Sequence, residues 1–127
     1  MNKLFVAALK EETPGLDYFH YIGVGKINAT YNLLKLINKF KPNQVINYGS
    51  AGAIKQGTLG IVECTKFYQR DMDVRELLDL KLGETPFDNI NEIINSDEGF
   101  SCGSGDSFVN KQIEIKVDLV DIPVLLN

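Results

Sequence analysis

The chain has 127 residues, 44% hydrophobic and 24% charged, a composition that suits a globular protein and excludes a disordered one. Acidic residues outnumber basic ones 17 to 13 for a net charge of −4 with no basic cluster, which argues against a nucleic-acid partner. No apolar run approaches the ~20 residues that cross a bilayer, and the N-terminus has no signal-peptide pattern, so a single domain over residues 1–127, cytoplasmic and without a membrane partner, is expected.

Leu4-Phe5-Val6-Ala7-Ala8-Leu9 is a continuous apolar run, the pattern of a strand buried on both faces. Lys10, Glu11, Glu12 and Thr13 follow at once and Pro14-Gly15 breaks the chain. Acidic side chains therefore fall at the carboxyl end of a central strand, where open α/β sheets place ligands. Residues 18–22 are aromatic and β-branched and predict a second short strand. Gly23-Val24-Gly25 then turns into a helix predicted over 26–40, with Thr30, Leu33, Leu34, Ile37 and Phe40 on its apolar face and Pro42 as its stop. Residues 44–48 follow as a strand, which completes a strand–helix–strand unit expected to cross over right-handed.

Gly49-Ser50-Ala51-Gly52 is a small-residue loop after that strand. A further strand is predicted over 61–68. The polar stretch 70–97 offers a short helix at 74–80 and little else. Residues 100–104 predict a strand that leads into Gly105-Asp106-Ser107, and 117–120 a last strand. No repeat or linker divides the chain.

Each motif has a plain structural alternative. Gly23-Val24-Gly25-Lys26 fits neither a Rossmann fingerprint, because Asn28 stands where the third glycine belongs, nor a P-loop, because Ile27 follows the lysine. A tight strand-to-helix turn explains it. Gly49-Ser50-Ala51-Gly52 is either a bare turn or a cradle of N–H groups for an oxyanion, phosphate or water. Glu11 and Glu12 are either a solvated strand end or a general acid or base, and Asp71 and Asp73 read as a solvated turn. His20 in an aromatic strand reads as structural, and Phe108 by itself reads as packing. Cys64 and Cys102 are expected as reduced core thiols. With one histidine and two distant cysteines there is no metal spacing, so no metal or other cofactor is expected.

Taken in order, four segments carry a resemblance: Ala7-Ala8-Leu9-Lys10-Glu11-Glu12, Gly23-Val24-Gly25-Lys26-Ile27-Asn28-Ala29, Lys41 through Gly52 with its Asn47-Tyr48-Gly49-Ser50-Ala51-Gly52 end, and Ser104-Gly105-Asp106-Ser107-Phe108-Val109. The sequence resembles the nucleoside phosphorylase/nucleosidase superfamily, and within it the bacterial 5′-methylthioadenosine/S-adenosylhomocysteine nucleosidases. The resemblance implies an α/β fold in three layers, a twisted, mixed or mostly parallel sheet with flanking helices, here the truncated N-terminal part of the family fold. It also implies hydrolysis of a purine N-glycosidic bond through an oxocarbenium-like transition state.

By the same resemblance, Glu12 binds and polarises the attacking water, and Ser50, Ala51 and Gly52 lie beside the nucleophile and the ribose. Phe108 stacks on the purine and the backbone at Val109 reads the base edge. Similar phosphorylases carry an arginine where this chain has Asn47, and the chain has 2 arginines against 11 lysines, so water is favoured over phosphate as nucleophile. The pattern departs at Pro123, where the family's ribose-binding glutamate belongs, and the family's general acid has no match, so little turnover is expected. A homodimer or higher oligomer is the implied assembly. The alternatives are a phosphate-dependent purine nucleoside phosphorylase and a non-catalytic purine-binding remnant.

Overall fold

The computed structural model describes residues 2–58, 60–87, 92–107, 109 and 114–121. They fall into two compact units, one running up to Ser50 and the other beginning at Ala51.

In the first unit, β1 (Lys3–Ala7) is the central strand, flanked by β2 (His20–Tyr21) and β3 (Gln44–Asn47), and all three are parallel. Its buried residues explain why: Leu4, Val6 and Ala7 are wholly inaccessible, as a strand covered on both faces requires. Pairing runs past the strand ends, where Ile22 and Gly23 donate to the carbonyls of Ala7 and Ala8 (2.9 and 3.1 Å) and Tyr48 donates to that of Val6 (3.0 Å). Only two of the residues expected at 18–22 are regular strand; the rings of Tyr18 and Phe19 instead pack edge-on against Phe5 (5.1 and 5.7 Å between centroids).

Helix α1 (Lys26–Phe40) spans the predicted residues and lays Ala29, Leu33, Leu36, Ile37 and Phe40 on the cluster of Leu4, Val6 and Ile22. The predicted stripe needs a correction. Thr30 and Leu34 are exposed, and Ala29 and Leu36 take their places, because the buried face is turned about one residue from the one the spacing suggested. Pro42 disfavours helical backbone at Lys41. That residue takes a left-handed conformation (φ 48°) and closes the helix with a 2.8 Å bond from its N–H to the carbonyl of Ile37.

The second unit is a mixed sheet. Its order is β4 (Gly52–Ala53), β8 (Leu119–Asp121), β7 (Phe100–Ser104), β5 (Cys64–Gln69) and β6 (Glu92–Ile94). β5, β7 and β8 are parallel, and the outer pairs β4–β8 and β5–β6 are antiparallel. Cys102, Val117, Leu119 and Val120 are its buried apolar residues, joined by the polar Thr65 and Arg70.

Several expectations are corrected here. The strand placed at 61–68 begins at Cys64, because its neighbour β7 offers pairing only from Phe100 onward and Ile61 is left 86% exposed. The helix placed at 74–80 is a single turn in which Leu77 and Leu78 both donate to the carbonyl of Val74. So short a segment does not repay helix nucleation without a buried face, and Leu77 is 84% exposed. The last strand is Leu119–Asp121, with Val117 buried just before it. Gly52, expected in a loop, opens β4, and β6 was not predicted. The fold is α/β, but among the described residues α1 is the one α-helix, and two sheets stand where one flanked sheet was expected. Among the described residues no helix is long and apolar enough to cross a membrane.

Candidate active site

The first unit gathers its polar groups at the carboxyl ends of β1 and β3. Leaving β1, the chain makes one 3-10 turn over Lys10–Glu12, closed by bonds from Glu12 N–H to the carbonyl of Leu9 and from Thr13 N–H to that of Lys10 (both 3.1 Å). This turn separates the two glutamates. Glu11 is exposed, whereas Glu12 is half-buried and folds back on the backbone. Its Oε1 accepts the N–H of Leu9 at 3.0 Å, and its Oε2 accepts the N–H of Ser50 at 2.7 Å. The second bond spans 38 residues and joins the turn after β1 to the loop after β3.

Gly49 makes that approach possible. A Cβ on Gly49 would sit 2.9 Å from Glu12 Oε2, so any side chain there pushes the carboxylate away. Behind the turn, Thr13 is buried and its hydroxyl shares a 2.6 Å hydrogen bond with that of Tyr21, which ties the turn to β2. An ionised carboxylate has about four acceptor positions, and two backbone donors leave room for further donors on the same oxygens. Chemically, this is a fixed anion that can orient a water or a hydroxyl.

The remaining predicted residues lie in the second unit. Ala51 is exposed, and Gly52 is half-buried in β4 against Val120, whose Cγ2 would lie 3.4 Å from an added Cβ. Val109 is half-buried. Phe108 lies outside the described residues. The structure therefore brings Glu12 and Ser50 together directly, and Ala51, Gly52 and Val109 are described within the second unit.

His20 is half-buried with its ring 5.1 Å from that of Phe40, in keeping with a packing role. Cys64 and Cys102 are both free thiols. Burial, reinforced by the charge of Asp121, pushes the Cys102 thiol up to about 12 and raises that of Cys64 as well, so neither is a poised nucleophile.

Two residues have more to do than the sequence suggested. Asp71, read as part of a solvated turn, accepts the N–H of Asp106 at 2.8 Å. Arg70, weighed only as a phosphate ligand, is 8% exposed and donates to backbone carbonyls. A hint was available in composition, since an arginine in a lysine-dominated chain marks a place where a planar, multiply donating cation is needed. Arg75 is engaged elsewhere, by Asp73 at 2.7 Å and Glu114 at 2.5 Å.

No family model matches the chain. Among curated proteins, it is 46% identical over 54 residues to the 5′-methylthioadenosine/S-adenosylhomocysteine nucleosidase of Exiguobacterium sp. strain ATCC BAA-1283 / AT1b, a stretch that makes up 41% of this chain and 23% of that protein. The aligned part thus spans under a quarter of the relative's length. Solved structures match more extensively. A futalosine hydrolase mutant of Helicobacter pylori strain 26695 aligns with a TM-score of 0.78 and 20% identity over 96% of this chain and 77% of its own. The structure named Helicobacter pylori MTAN aligns with a TM-score of 0.77 and 20% identity over 96% and 78%. At that identity the likeness establishes a shared α/β fold.

Proposed function

We propose a purine nucleosidase-like function for this chain, in keeping with its partial-length similarity to 5′-methylthioadenosine/S-adenosylhomocysteine nucleosidases: binding of an adenine nucleoside such as 5′-methylthioadenosine or S-adenosylhomocysteine, and attack of water on its N-glycosidic bond. The observation that carries this reading is the carboxylate of Glu12, held at both oxygens by the N–H groups of Leu9 and Ser50 at the carboxyl end of a central parallel strand.

In this mechanism Glu12 anchors the water and takes up its proton as the C–O bond forms at the anomeric carbon. The C–N bond to adenine breaks as an oxocarbenium-like centre develops, which the nearby carboxylate charge stabilises. The resemblance assigns Ser50, Ala51 and Gly52 to the ribose, and Phe108 and Val109 to the base. None of these residues supplies an acid for the departing adenine, so adenine takes its proton from solvent water and its release is slow. Both arginines support water over phosphate, since Arg70 is buried on carbonyls and Arg75 is paired with two carboxylates. The chain is further proposed to act as a homodimer or higher oligomer, which light scattering checks.

The test is calorimetric titration of the full chain with adenine and with 5′-methylthioadenosine, with free adenine assayed on the same samples. Binding, with adenine release that is slow and independent of phosphate, is the expected result. Release that requires phosphate would make the chain a phosphorylase, and binding without release would leave a non-catalytic purine pocket. Absence of binding overturns the proposal.

A further inference from the structure

The three parallel strands of the second unit end in register, with Gln69 of β5 beside Ser104 of β7 and Ser104 beside Asp121 of β8. The next residue along β5 is Arg70, whose side chain runs across these carboxyl ends. Its Nε donates to the carbonyl of Gly103 (3.2 Å), and its Nη2 donates to those of Ser107 (2.5 Å) and Asp121 (3.3 Å). Its own N–H donates to the carbonyl of Ser104 (3.0 Å). Asp71 adds a bond of opposite sense, accepting the N–H of Asp106 at 2.8 Å. Two consecutive residues thus hold four backbone groups between 103 and 107.

Glycine at 105 belongs to the same device. A Cβ there would lie 2.6 Å from Arg70 Cζ and 2.8 and 2.9 Å from its two terminal nitrogens. The guanidinium therefore lies flat against the loop backbone, and nothing larger than glycine fits over it. Lysine cannot replace this arrangement, because a single ammonium does not span three carbonyls at the spacing of a planar fork. A buried cation spent on backbone carbonyls is costly to keep. Its return is a loop with one conformation at the carboxyl edge of a parallel sheet, where ligands bind.

We propose that Arg70, with Asp71, is a positioning residue for purine recognition: it clamps residues 103–107 and so fixes the loop that leads to Val109, whose backbone is assigned above to the base. This rests on the purine-binding function proposed above. The clamp acts by raising the fraction of chains whose loop is ready to bind, so its removal weakens the apparent affinity in proportion to the fraction lost, about ten-fold if one loop in ten remains ready.

Adenine affinity and thermal midpoint, measured by calorimetry on the full chain, test this with R70A, G105A and the double variant R70A/G105A. R70A and G105A are each expected to weaken adenine binding by about ten-fold, and the double variant to be no weaker than R70A, since the added methyl then has no guanidinium to strike. Millimolar guanidinium ion, far below denaturing levels, is expected to restore part of the affinity of R70A, which it would not do for a general loss of stability. If R70A does not fold, D71A, which alters an exposed residue and frees the Asp106 N–H, takes its place with a smaller expected loss. Wild-type affinity in R70A, or in D71A where R70A does not fold, overturns the clamp alone. Fully multiplicative losses from R70A and G105A also overturn it. No adenine binding by the unaltered chain overturns the clamp's role together with the purine-binding function beneath it.

Discussion

The two units hold their polar groups in opposite ways. In the first, a side-chain anion is fixed by backbone donors: Glu12 accepts the N–H groups of Leu9 and Ser50. In the second, a side-chain cation is fixed by backbone acceptors: Arg70 donates to the carbonyls of Gly103, Ser107 and Asp121. Both lie at carboxyl ends of parallel strands. The supports differ too, since the first unit rests on an apolar cluster under α1 and the second buries Thr65 and Arg70 beside a few aliphatic residues. The lesson is that one α/β chain can order a site edge by hydrophobic packing in one region and by a satisfied polar clamp in another.

The largest expected effect probes the apolar support. Leu4 is wholly buried at the centre of the first unit's cluster. Leu4→Ala removes that side chain and leaves a cavity, which is expected to cost about 2–5 kcal/mol in urea denaturation. A loss below about 1 kcal/mol would mean that this cluster is not the unit's main support.

The next probes the anion. Glu12→Gln keeps the shape of the side chain but replaces one acceptor oxygen with a donor that faces a backbone N–H. It also removes the charge that the proposed chemistry uses. Release of adenine from 5′-methylthioadenosine is expected to fall by about 100-fold or more, with adenine affinity unchanged. Gly49→Ala, which places a methyl 2.9 Å from Glu12 Oε2, is expected to lower the same rate by about ten-fold through misplacement of the carboxylate. If both variants turn over like the unaltered chain, Glu12 is a structural tie and nothing more.

What could be read in the sequence follows the same division. β1 and α1 came from an apolar run and a helical period, signals written in the side chains that fill the first unit's core. β7 was legible as a short strand with small residues, and Glu11 and Glu12 stood out together as carboxylates just past a buried strand. The choice between Glu11 and Glu12 was not legible from the residues alone, because it depends on a 3-10 turn closed by main-chain bonds. The Arg70 clamp was invisible for a related reason: its partners are carbonyls, which every residue has. β6 was missed because its three residues are all exposed at a sheet edge, so no alternation marks them. The helix placed at 74–80 failed because its leucines find no buried face: Leu77 and Leu78 face solvent.

A moderate, pH-dependent effect separates burial in the second unit from burial in the first. Burial, with the charge of Asp121 behind it, pushes the Cys102 thiol from its ordinary 9.0 up to about 12 in the folded chain. Below about pH 8 the thiol is protonated in both states and contributes no pH dependence. Between 9 and 12 the unfolded thiol has lost its proton and the folded one keeps it. The folded state then binds more protons, and stability falls as pH rises through this window. The urea midpoint of the unaltered chain is expected to drop from pH 8 to pH 11, and Cys102→Ala to flatten that drop. Part of the drop should survive, because Cys64 is raised in the same direction. An equally steep fall in Cys102→Ala would place the titrating group elsewhere.

The smallest expected effect comes from the other arginine, and its smallness is what gives it value. Arg75 donates to both oxygens of Asp73 at 2.8 and 2.7 Å and reaches Glu114 at 2.5 Å, geometry at least as good as that of Arg70. The Asp73 carboxyl is held at about 2 by those hydrogen bonds. Yet Arg75 and Asp73 keep 42% of their side-chain surface in solvent, where water and salt compete for the same charges and ordering two long side chains offsets most of the attraction. Arg75→Ala is therefore expected to leave the urea midpoint and adenine affinity unchanged, at low and at physiological salt alike. Arg70→Ala, with longer bonds but a buried guanidinium, is expected to change adenine affinity. Should the two substitutions prove equivalent, bond geometry rather than burial would set what an arginine contributes here, and the contrast between clamp and surface pair would fail.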